Sequence, residues 1–337
     1  MARRRKPAST NGRTRARRDG RPTRPKRGGA SRIVRVAAIQ AAPVLLDLER
    51  TTAKAIDLMA QAAARGARLV AFGETWLPGY PAWLDICPGA AYWNHPPAKK
   101  AFARLMANSV TIPGPEIARI ARAAKTHGVV VVLGVHERVE GKPGHNTLFN
   151  TQLVIGSDGA ILSRHRKLMP TFAERLVWGQ GDGSGLDAVS TPIGRVGSLI
   201  CWEHWMPLAR QAVHRSGEQI HVACWPSVHD LHQLASRHYA FEGRCFVLAV
   251  GQIIRARDLP KEMELPENLR RSPETMLYNG GTAIYGPDGG LLAGPVYDRE
   301  DIVIADLDLS RIAEEAMALD VTGHYDRPDV FEFRVRA

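Results

Sequence analysis

Three predicted strands end in a side chain that could take part in acid–base or nucleophilic chemistry. Glu74 ends "LVAFGE" and Cys201 ends "VGSLIC". Lys167 follows "ILSRHR", and Glu174 lies seven residues further on. Functional groups of open α/β sheets collect at strand ends. A lysine ammonium lowers the cost of forming a thiolate, and a glutamate can take the thiol proton and pass it to a leaving nitrogen. The pattern predicts nucleophilic catalysis if folding brings these groups together.

Glu74 lies in an apolar setting for a carboxylate. It follows "VAFG" and precedes Trp76, Leu77 and Pro78. Burial of a carboxylate costs free energy unless the group is paired or its pKa rises. A pairing with Lys167 would meet that cost, which favours a buried ion pair over a solvated glutamate.

Cys224 is a second candidate for the nucleophile. "IHVACWP" is also a predicted strand that ends in Cys-Trp, so spacing alone does not choose between Cys201 and Cys224. No zinc pattern is present. The histidines His229, His232 and His238 lack the spacing of a helical metal site, and we interpret them as structural or surface residues. No metal site is predicted.

Strands and helices alternate along most of the sequence. The predicted strands are "IVRVAAIQAAP", "ARLVAFGE", "VVVVLGVHER", "NTLFNTQLVIG", "ILSRHRKL", "VGSLICW", "IHVACWP", "FVLAVGQII", "GGTAIYGPDGGLLAG" and "DIVIADLDL". The predicted helices span 49–65, 115–127, 206–216 and 230–243. This order predicts an α/β fold with a mixed sheet. The segments 85–111 and 256–275 are rich in Pro or charge, and we predict that both are exposed excursions.

The positive charge of the chain is concentrated at its N-terminus. The net charge of the 337 residues is +11, but residues 1–32 hold 13 of the 45 Lys and Arg and one of the 34 acidic residues. The remainder has 32 basic and 33 acidic side chains, a net charge of −1. Residues 1–32 are predicted to be a disordered Arg-rich tail, without the apolar segment of a secretory signal or transit peptide. Residues 33–337 are predicted to form one domain.

The basic tail leaves open a function of another class, a polyanion-binding protein that acts through its N-terminal arm. A nucleic-acid-binding body should have its own basic excess, and the body here is almost neutral. No apolar run reaches the roughly 18 residues of a membrane span. The four cysteines form no CxxC pair, which predicts free thiols and a cytoplasmic location.

The sequence resembles the nitrilase superfamily of carbon–nitrogen hydrolases, in particular its nitrilase and cyanide-converting branch. The resemblance covers about 33–333 and rests on "FGETWLPGYP", "HRKLMPTFAERLVWGQGDGSGL", "GSLICWEHWMPLAR", "CWPS", "HYAFEGRCFVLAVGQ" and "DVTGHYDRPDVF". The Glu–Lys–Cys triad of the family falls on Glu74, Lys167 and Cys201, and its supporting glutamate falls on Glu174. The resemblance therefore selects Cys201 over Cys224. Aliphatic amidases differ after the nucleophile, where this chain has "CWE".

The resemblance implies a four-layer αββα sandwich of the carbon–nitrogen hydrolase type, assembled as a homodimer or larger homo-oligomer. It places Tyr80, Trp178, Trp202 and Pro226 at substrate-pocket positions. The chain ends soon after "DVFEF", whereas many nitrilases extend further, which leaves a spiral assembly open.

The implied reaction is hydrolysis of an organic nitrile to a carboxylic acid and ammonia, through a cysteine thioimidate and a thioester, with no metal or organic cofactor. Glu174 would orient Lys167 or the attacking water. A cyanide dihydratase and an amidase or carbamoyl-amide hydrolase use the same triad, so they remain alternatives. The triad does not specify which nitrile is the substrate.

Overall fold

We describe the chain from a computed structural model, which covers residues 33–141 and 144–336. The predicted tail, residues 1–32, lies outside the described residues, so its disorder and its polyanion binding stay predictions. The division of the chain into this tail and one domain from residue 33 stays a prediction as well.

The described residues form two β-sheets. The strands are β1 (Ile33–Gln40), β2 (Leu69–Ala71), β3 (Val130–Arg138), β4 (Leu148–Ile155), β5 (Ile161–Arg166), β6 (Val189–Thr191), β7 (Gly194–Ile200), β8 (Ile220–Cys224), β9 (Phe246–Val250), β10 (Ile253–Arg255), β11 (Met276–Tyr285), β12 (Leu291–Tyr297) and β13 (Asp301–Asp308). The first sheet has the order β13-β1-β2-β3-β4-β5, and the second has the order β10-β11-β9-β8-β7-β6 with β12 paired to β11. Each sheet mixes parallel and antiparallel pairs, as predicted.

Helices cover the outer face of each sheet. The helices are α1 (Leu48–Ala64), α2 (Trp83–Ile86), α3 (Pro96–Ala107), α4 (Pro115–His127), α5 (Pro207–Arg215), α6 (Asp230–Gly243), α7 (Glu267–Arg271) and α8 (Arg311–Glu315). Met59 of α1 and Ile117 of α4 pack against Val70 and Val131 of the first sheet. The four predicted helices correspond to α1, α4, α5 and α6 and form within one residue of their predicted ends.

The inner faces of the two sheets share one apolar layer. Val36, Leu69 and Val132 of the first sheet pack in the same cluster as Val222 and Leu248 of the second. Because successive side chains of a strand point to opposite faces, Leu69 and Ala71 face the other sheet while Val70 faces the helices.

The second sheet is covered in the same way by α5 and α6. Val213 and Tyr239 of these helices pack against Leu199 and Val247 of the sheet. The resulting order is helix, sheet, sheet, helix, and the predicted αββα sandwich is confirmed.

The two predicted excursions are more ordered and more buried than expected. The segment 85–111 contains α3, whose Ala101 and Leu105 are fully buried. The segment 256–275 contains α7, and its Met263 is buried in one apolar cluster with Ala101 and Leu105. The prediction of exposure is confirmed for 91–94 and 270–275 and was wrong for the buried apolar residues of both segments, which pack together under the polar residues around them.

No helix within residues 33–141 and 144–336 combines the length and apolar character that crossing a membrane requires. All four cysteines are free, as predicted, and all four are buried.

Candidate active site

The carboxylate of Glu74 lies at the carboxyl end of the first sheet. It lies three residues beyond the end of β2 and is fully buried. Its Oε1 accepts hydrogen bonds from Asn150 Nδ2 at 2.7 Å and Lys167 Nζ at 2.8 Å. Gln252 Nε2 donates to the Glu74 carbonyl at 2.7 Å. Glu74 Oε2 is buried and has no hydrogen-bond partner among the described residues, so one acceptor atom remains available to a reacting proton.

Lys167 lies between two carboxylates. It follows β5, its side chain is buried, and its Nζ donates to Glu74 Oε1 at 2.8 Å and to Glu174 Oε2 at 2.6 Å. Its backbone N–H donates to the Asn150 carbonyl at 2.8 Å, which fixes the start of the side chain against β4. Burial lowers the pKa of Lys167, but Cys201 and the two carboxylates raise it by more, so its pKa lies above the ordinary value. The ammonium is therefore charged in the site.

Glu174 holds the other side of the ammonium. It lies in the 3-10 helix Phe172–Leu176, and its Oε2 accepts from the backbone N–H of Thr171 at 2.6 Å as part of a capping box. Tyr80 Oη donates to Glu174 Oε1 at 2.8 Å. The hydrogen bonds from Thr171 and Tyr80 hold the Glu174 carboxylate in one orientation, as its predicted role in orienting Lys167 requires.

Cys201 lies where β7 ends and the 3-10 helix Cys201–Trp205 begins. The predicted strand extended through Trp202, but β7 stops at Ile200 because Cys201 adopts a φ of +52°, in the left-handed region. Cys201 Sγ and one oxygen from each of Glu74 and Glu174 lie within 4.8 Å of one another. The turn thus aims the thiol at the two glutamates.

Glu203 joins the two strand ends that carry the cysteine and the lysine. Its carboxylate accepts from the backbone N–H of Ile200 at 2.7 Å and from that of Leu168 at 2.8 Å. His165 Nε2 lies 2.9 Å from the same carboxylate. The glutamate of "CWE" therefore ties the Cys201 turn to the residue after Lys167.

The site is set up for proton transfer between a thiol and a carboxylate. Burial raises the pKa of Glu74 to about 7, with Lys167 opposing the shift and Glu174 adding to it. Burial, reinforced by the negative charge of Glu74, also raises the pKa of the Cys201 thiol well above its ordinary range. The thiol thus keeps its proton at rest, and the carboxylate beside it titrates near neutrality, where a general base is most effective.

The same three residues have the ligand types of a metal site, since two carboxylates and a thiol converge. The Lys167 ammonium, however, lies within 2.8 Å of both carboxylates and neutralises them. A metal cation would have to displace this lysine, so the arrangement fits an internal ammonium better than a metal ion.

A cavity of about 380 Å³ opens onto the thiol. Three of the four predicted pocket residues line it: Tyr80, Trp202 and Pro226. Trp178 is not among its lining residues; its ring lies 5.9 Å from that of Tyr80, and its Nε1 donates to His136 Nδ1 at 3.0 Å. Trp178 thus supports Tyr80 from behind, and substrate contact by any of the four stays a prediction.

Several residues of the cavity were missed in the sequence. Asp85, Tyr278, His229 and His232 line it. His229 is exposed and His232 half-buried, in keeping with their interpretation as structural or surface residues, and the turn before α6 also places them beside Pro226 on this wall. Tyr278 is part of β11, far from the triad in sequence, and no local pattern marks it. A larger cavity of about 600 Å³ shares no lining residue with this one.

Cys224 is placed differently from Cys201. Its Sγ donates to the Phe72 carbonyl at 3.1 Å and accepts from Gln152 Nε2, in the layer between the sheets. It does not line the cavity at Cys201. The two strand-end cysteines, which spacing left equivalent, therefore have separate environments.

Similarity to known proteins agrees with this geometry. Residues 35–316 match the carbon–nitrogen hydrolase family. The chain is 43% identical over 305 residues to an aliphatic nitrilase from Sinorhizobium fredii, a match that covers 89% of this chain and 95% of the relative. It is 40% identical to an arylacetonitrilase from Aspergillus kawachii, with 88% and 90% covered.

A solved structure shows the same fold. The carbon–nitrogen hydrolase from Helicobacter pylori G27 superimposes with a TM-score of 0.68 at 19% identity, over 89% of this chain and 97% of the other. Family, fold and site geometry are therefore consistent, and the chain belongs to the carbon–nitrogen hydrolase family, in the nitrilase superfamily.

Proposed function

We propose that the protein is a nitrilase, which hydrolyses an organic nitrile to the carboxylic acid and ammonia. The observation that carries the proposal is the convergence of the Cys201 thiol with Glu74 and Glu174 at a cavity wall, with Lys167 between the carboxylates. The names of the relatives support the substrate class: one is an aliphatic nitrilase and another an arylacetonitrilase.

The first half of the reaction forms a thioester. Glu74 takes the proton of Cys201 as the sulfur attacks the nitrile carbon, and it delivers that proton to the nitrogen to give a thioimidate. Water adds to the thioimidate carbon, the carbon–nitrogen bond breaks, and ammonia leaves. The Lys167 ammonium stabilises the negative charge of the tetrahedral state, as an oxyanion hole does.

The second half releases the acid. Glu74 takes a proton from a second water, whose oxygen attacks the thioester carbon. The carbon–sulfur bond breaks and the thiol recovers a proton, so two waters and one nitrile give one acid and one ammonia. Glu174 keeps Lys167 in place through both halves, since it accepts from Nζ at 2.6 Å.

The cavity favours an organic nitrile over cyanide. Its volume of about 380 Å³ and its aromatic lining, Tyr80, Trp202 and Tyr278, leave room for a carbon substituent that cyanide lacks. An amide substrate would react through the same thioester intermediate. The triad alone therefore does not distinguish a nitrilase from an amidase or carbamoyl-amide hydrolase, which remains the alternative.

The test is ammonia release by the full-length protein from aliphatic nitriles, arylacetonitriles, aromatic nitriles, cyanide and the matching amides. We expect release from at least one organic nitrile, at a kcat/KM at least about 100-fold above that for its amide, because differential transition-state binding sets such ratios. Release from amides alone or from cyanide alone would contradict the proposal and assign the protein to a neighbouring activity.

We also propose that the protein acts as a homodimer or larger homo-oligomer. Helices α5 and α6, which form one outer layer, expose large apolar side chains: Leu208, Leu231, Leu234 and Phe241 are between 47% and 71% exposed. Exposed apolar patches of this kind mark interaction surfaces. The four buried free thiols fit a reducing location such as the cytoplasm.

Substitution of Leu234 with aspartate is expected to weaken this assembly, because a carboxylate would be desolvated in an apolar interface. Light scattering coupled to size exclusion should show a smaller species, with a dissociation constant raised at least about tenfold, as for a typical hot-spot residue. Leu291→Asp is the matched control, since Leu291 is 51% exposed on β12 of the second sheet. A monomeric wild type, or equal effects of both substitutions, would contradict the assignment of the surface.

A further inference from the structure

His204 lies directly beneath the nucleophile and is buried. It is three residues beyond Cys201 in the same 3-10 helix, and its Nδ1 lies 2.7 Å from the Cys201 carbonyl oxygen. A carbonyl oxygen only accepts hydrogen bonds, so the proton of this contact belongs to His204 Nδ1. The other ring nitrogen, Nε2, lies 3.0 Å from Nε2 of His221.

The chain of contacts continues to a buried carboxylate. His221 lies on β8, and its Nδ1 is 2.7 Å from Glu218 Oε2. Three successive contacts of hydrogen-bond length therefore connect the Cys201 carbonyl with Glu218, through His204 and His221.

These three contacts require three protons. Each contact joins two atoms that can both accept, so each needs one hydrogen between them. Two neutral imidazoles supply only two. The third must be an added proton, and Glu218 does not retain it. Burial alone would raise the pKa of this carboxyl, but His221 Nδ1 at 2.7 Å from one oxygen and His214 Nδ1 at 2.9 Å from the other hold that pKa well below its usual range. The third proton therefore lies on one of the two histidine rings, so His204 and His221 together carry one imidazolium.

The charges around the pair act on that imidazolium in both directions. Glu218 favours it at both histidines, whereas Arg210 disfavours it at His204 and His214 disfavours it at His221. Burial lowers the pKa of both His204 and His221, but the carboxylate of Glu218 opposes this effect at His221. Beyond Glu218, His214 also faces Glu242, which pairs with Arg210. The hydrogen-bond count and the burial thus act in opposite directions. Glu218 offsets part of the cost of the buried charge, but the pKa of both histidines stays below its ordinary value, and the geometry of the three contacts is what carries the assignment.

Arg210 fixes the other end of the histidine. Its Nη1 donates to the His204 carbonyl at 3.0 Å, while its Nε donates to Glu242 at 2.6 Å. Both the main chain and the ring of His204 are therefore held by groups outside the turn, so the turn that carries Cys201 is braced against α5 and α6.

We propose that His204 is a positioning residue for the nucleophile. Its ring donates a hydrogen bond to the Cys201 carbonyl, and one added proton, shared between His204 and His221 and paired with Glu218, holds the ring in the orientation that this bond needs. Cys201 has a Cβ and a φ of +52°, a conformation that residues other than glycine adopt only when their surroundings hold it. The hydrogen bond from His204 to the Cys201 carbonyl is one such restraint, and it fixes the direction of the thiol toward Glu74. This inference rests on the proposed role of Cys201.

Kinetics of three variants at His204 test the positioning. We expect His204→Ala to lower kcat for the best nitrile at least about tenfold with little change in KM, because small displacements of a reacting group have effects of this size or larger. His204→Asn should recover to within about threefold of wild type, because its amide can donate from near the position of Nδ1. His204→Gln has an amide of the same kind nearer the position of Nε2, and it should remain as slow as the alanine variant.

Alkylation of Cys201 by iodoacetamide, located by mass spectrometry, gives a readout that needs no nitrile turnover. The second-order rate constant of alkylation should fall strongly in His204→Ala and His204→Gln and only slightly in His204→Asn. A fall of less than about threefold in both His204→Ala and His204→Gln would overturn the proposal. If wild type hydrolyses no nitrile, the proposed function fails, yet the alkylation rates still decide the role of His204. Cys224→Ala is the control: it truncates a buried strand-end residue outside the His204 cluster and should change neither rate more than about twofold.

Nitrogen-15 NMR of the histidine rings tests the added proton in the folded wild type. We expect three ring N–H protons on His204 and His221 together at neutral pH, and two in Glu218→Gln, which lacks the negative charge. Two protons in wild type would overturn the shared imidazolium.

Discussion

Replacement of Cys201 with alanine is expected to abolish nitrile hydrolysis and leave the protein folded. The reaction needs a covalent bond from this sulfur to the nitrile carbon, and alanine has no atom that can form it. The substitution removes only one buried atom, so we expect a stability loss of about 1–2 kcal/mol, toward the low end for truncation in a core. The measurements are ammonia release and thermal unfolding, each compared with wild type.

Cys224→Ala is the matched control, because it removes the same atom from a buried cysteine that also ends a strand. Its sulfur contacts the Phe72 carbonyl and Gln152 and does not line the cavity at Cys201. We expect this variant to keep most of the activity. Substantial turnover by Cys201→Ala, or loss of turnover only in Cys224→Ala, would contradict the assignment of the nucleophile.

Glu74→Gln is expected to lower kcat/KM at least about 100-fold, the usual scale for loss of a general acid–base group. Glutamine keeps the shape of the side chain and an oxygen that can accept from Asn150 and Lys167. It cannot take the thiol proton. Glu300→Gln, a change of the same kind at a half-exposed carboxylate that pairs with Lys54, should have a wild-type rate. Wild-type rates in Glu74→Gln would show that another carboxylate is the base.

The pH dependence of kcat/KM is expected to follow the ionisation of Glu74. Because burial raises the pKa of Glu74 to about 7, the carboxylate is mostly protonated below that pH and mostly ionised above it. Only the ionised form can accept the thiol proton, so kcat/KM should fall about tenfold for each pH unit below about 7 and level off above it. This acid limb should be absent from the residual activity of Glu74→Gln. If kcat/KM of Glu74→Gln still falls below about pH 7 as in wild type, a group other than Glu74 causes the pH dependence.

The assembly of the site shows why a strand-end pattern is informative. Glu74, Lys167 and Cys201 follow three different strands, and packing of the two sheets brings their side chains together at the ends of these strands. The local sequence marks such residues because a polar group directly after a buried apolar strand is unusual. It does not mark Asn150, which lies within β4 and turns its amide toward Glu74, since a polar residue in mid-strand has many ordinary explanations.

The sequence by itself determined the four helices that cover the sheets and most of the strands, because the period of apolar residues reflects which face each element buries, but it did not predict α3. It also determined the candidate triad, with the family resemblance choosing between the cysteines. Only the tertiary structure separated Cys201 from Cys224 physically, buried α3 under its polar neighbours, and connected His204 to Glu218 through His221. These features depend on residues distant in the chain that meet only when the layers pack, and no local period encodes such contacts.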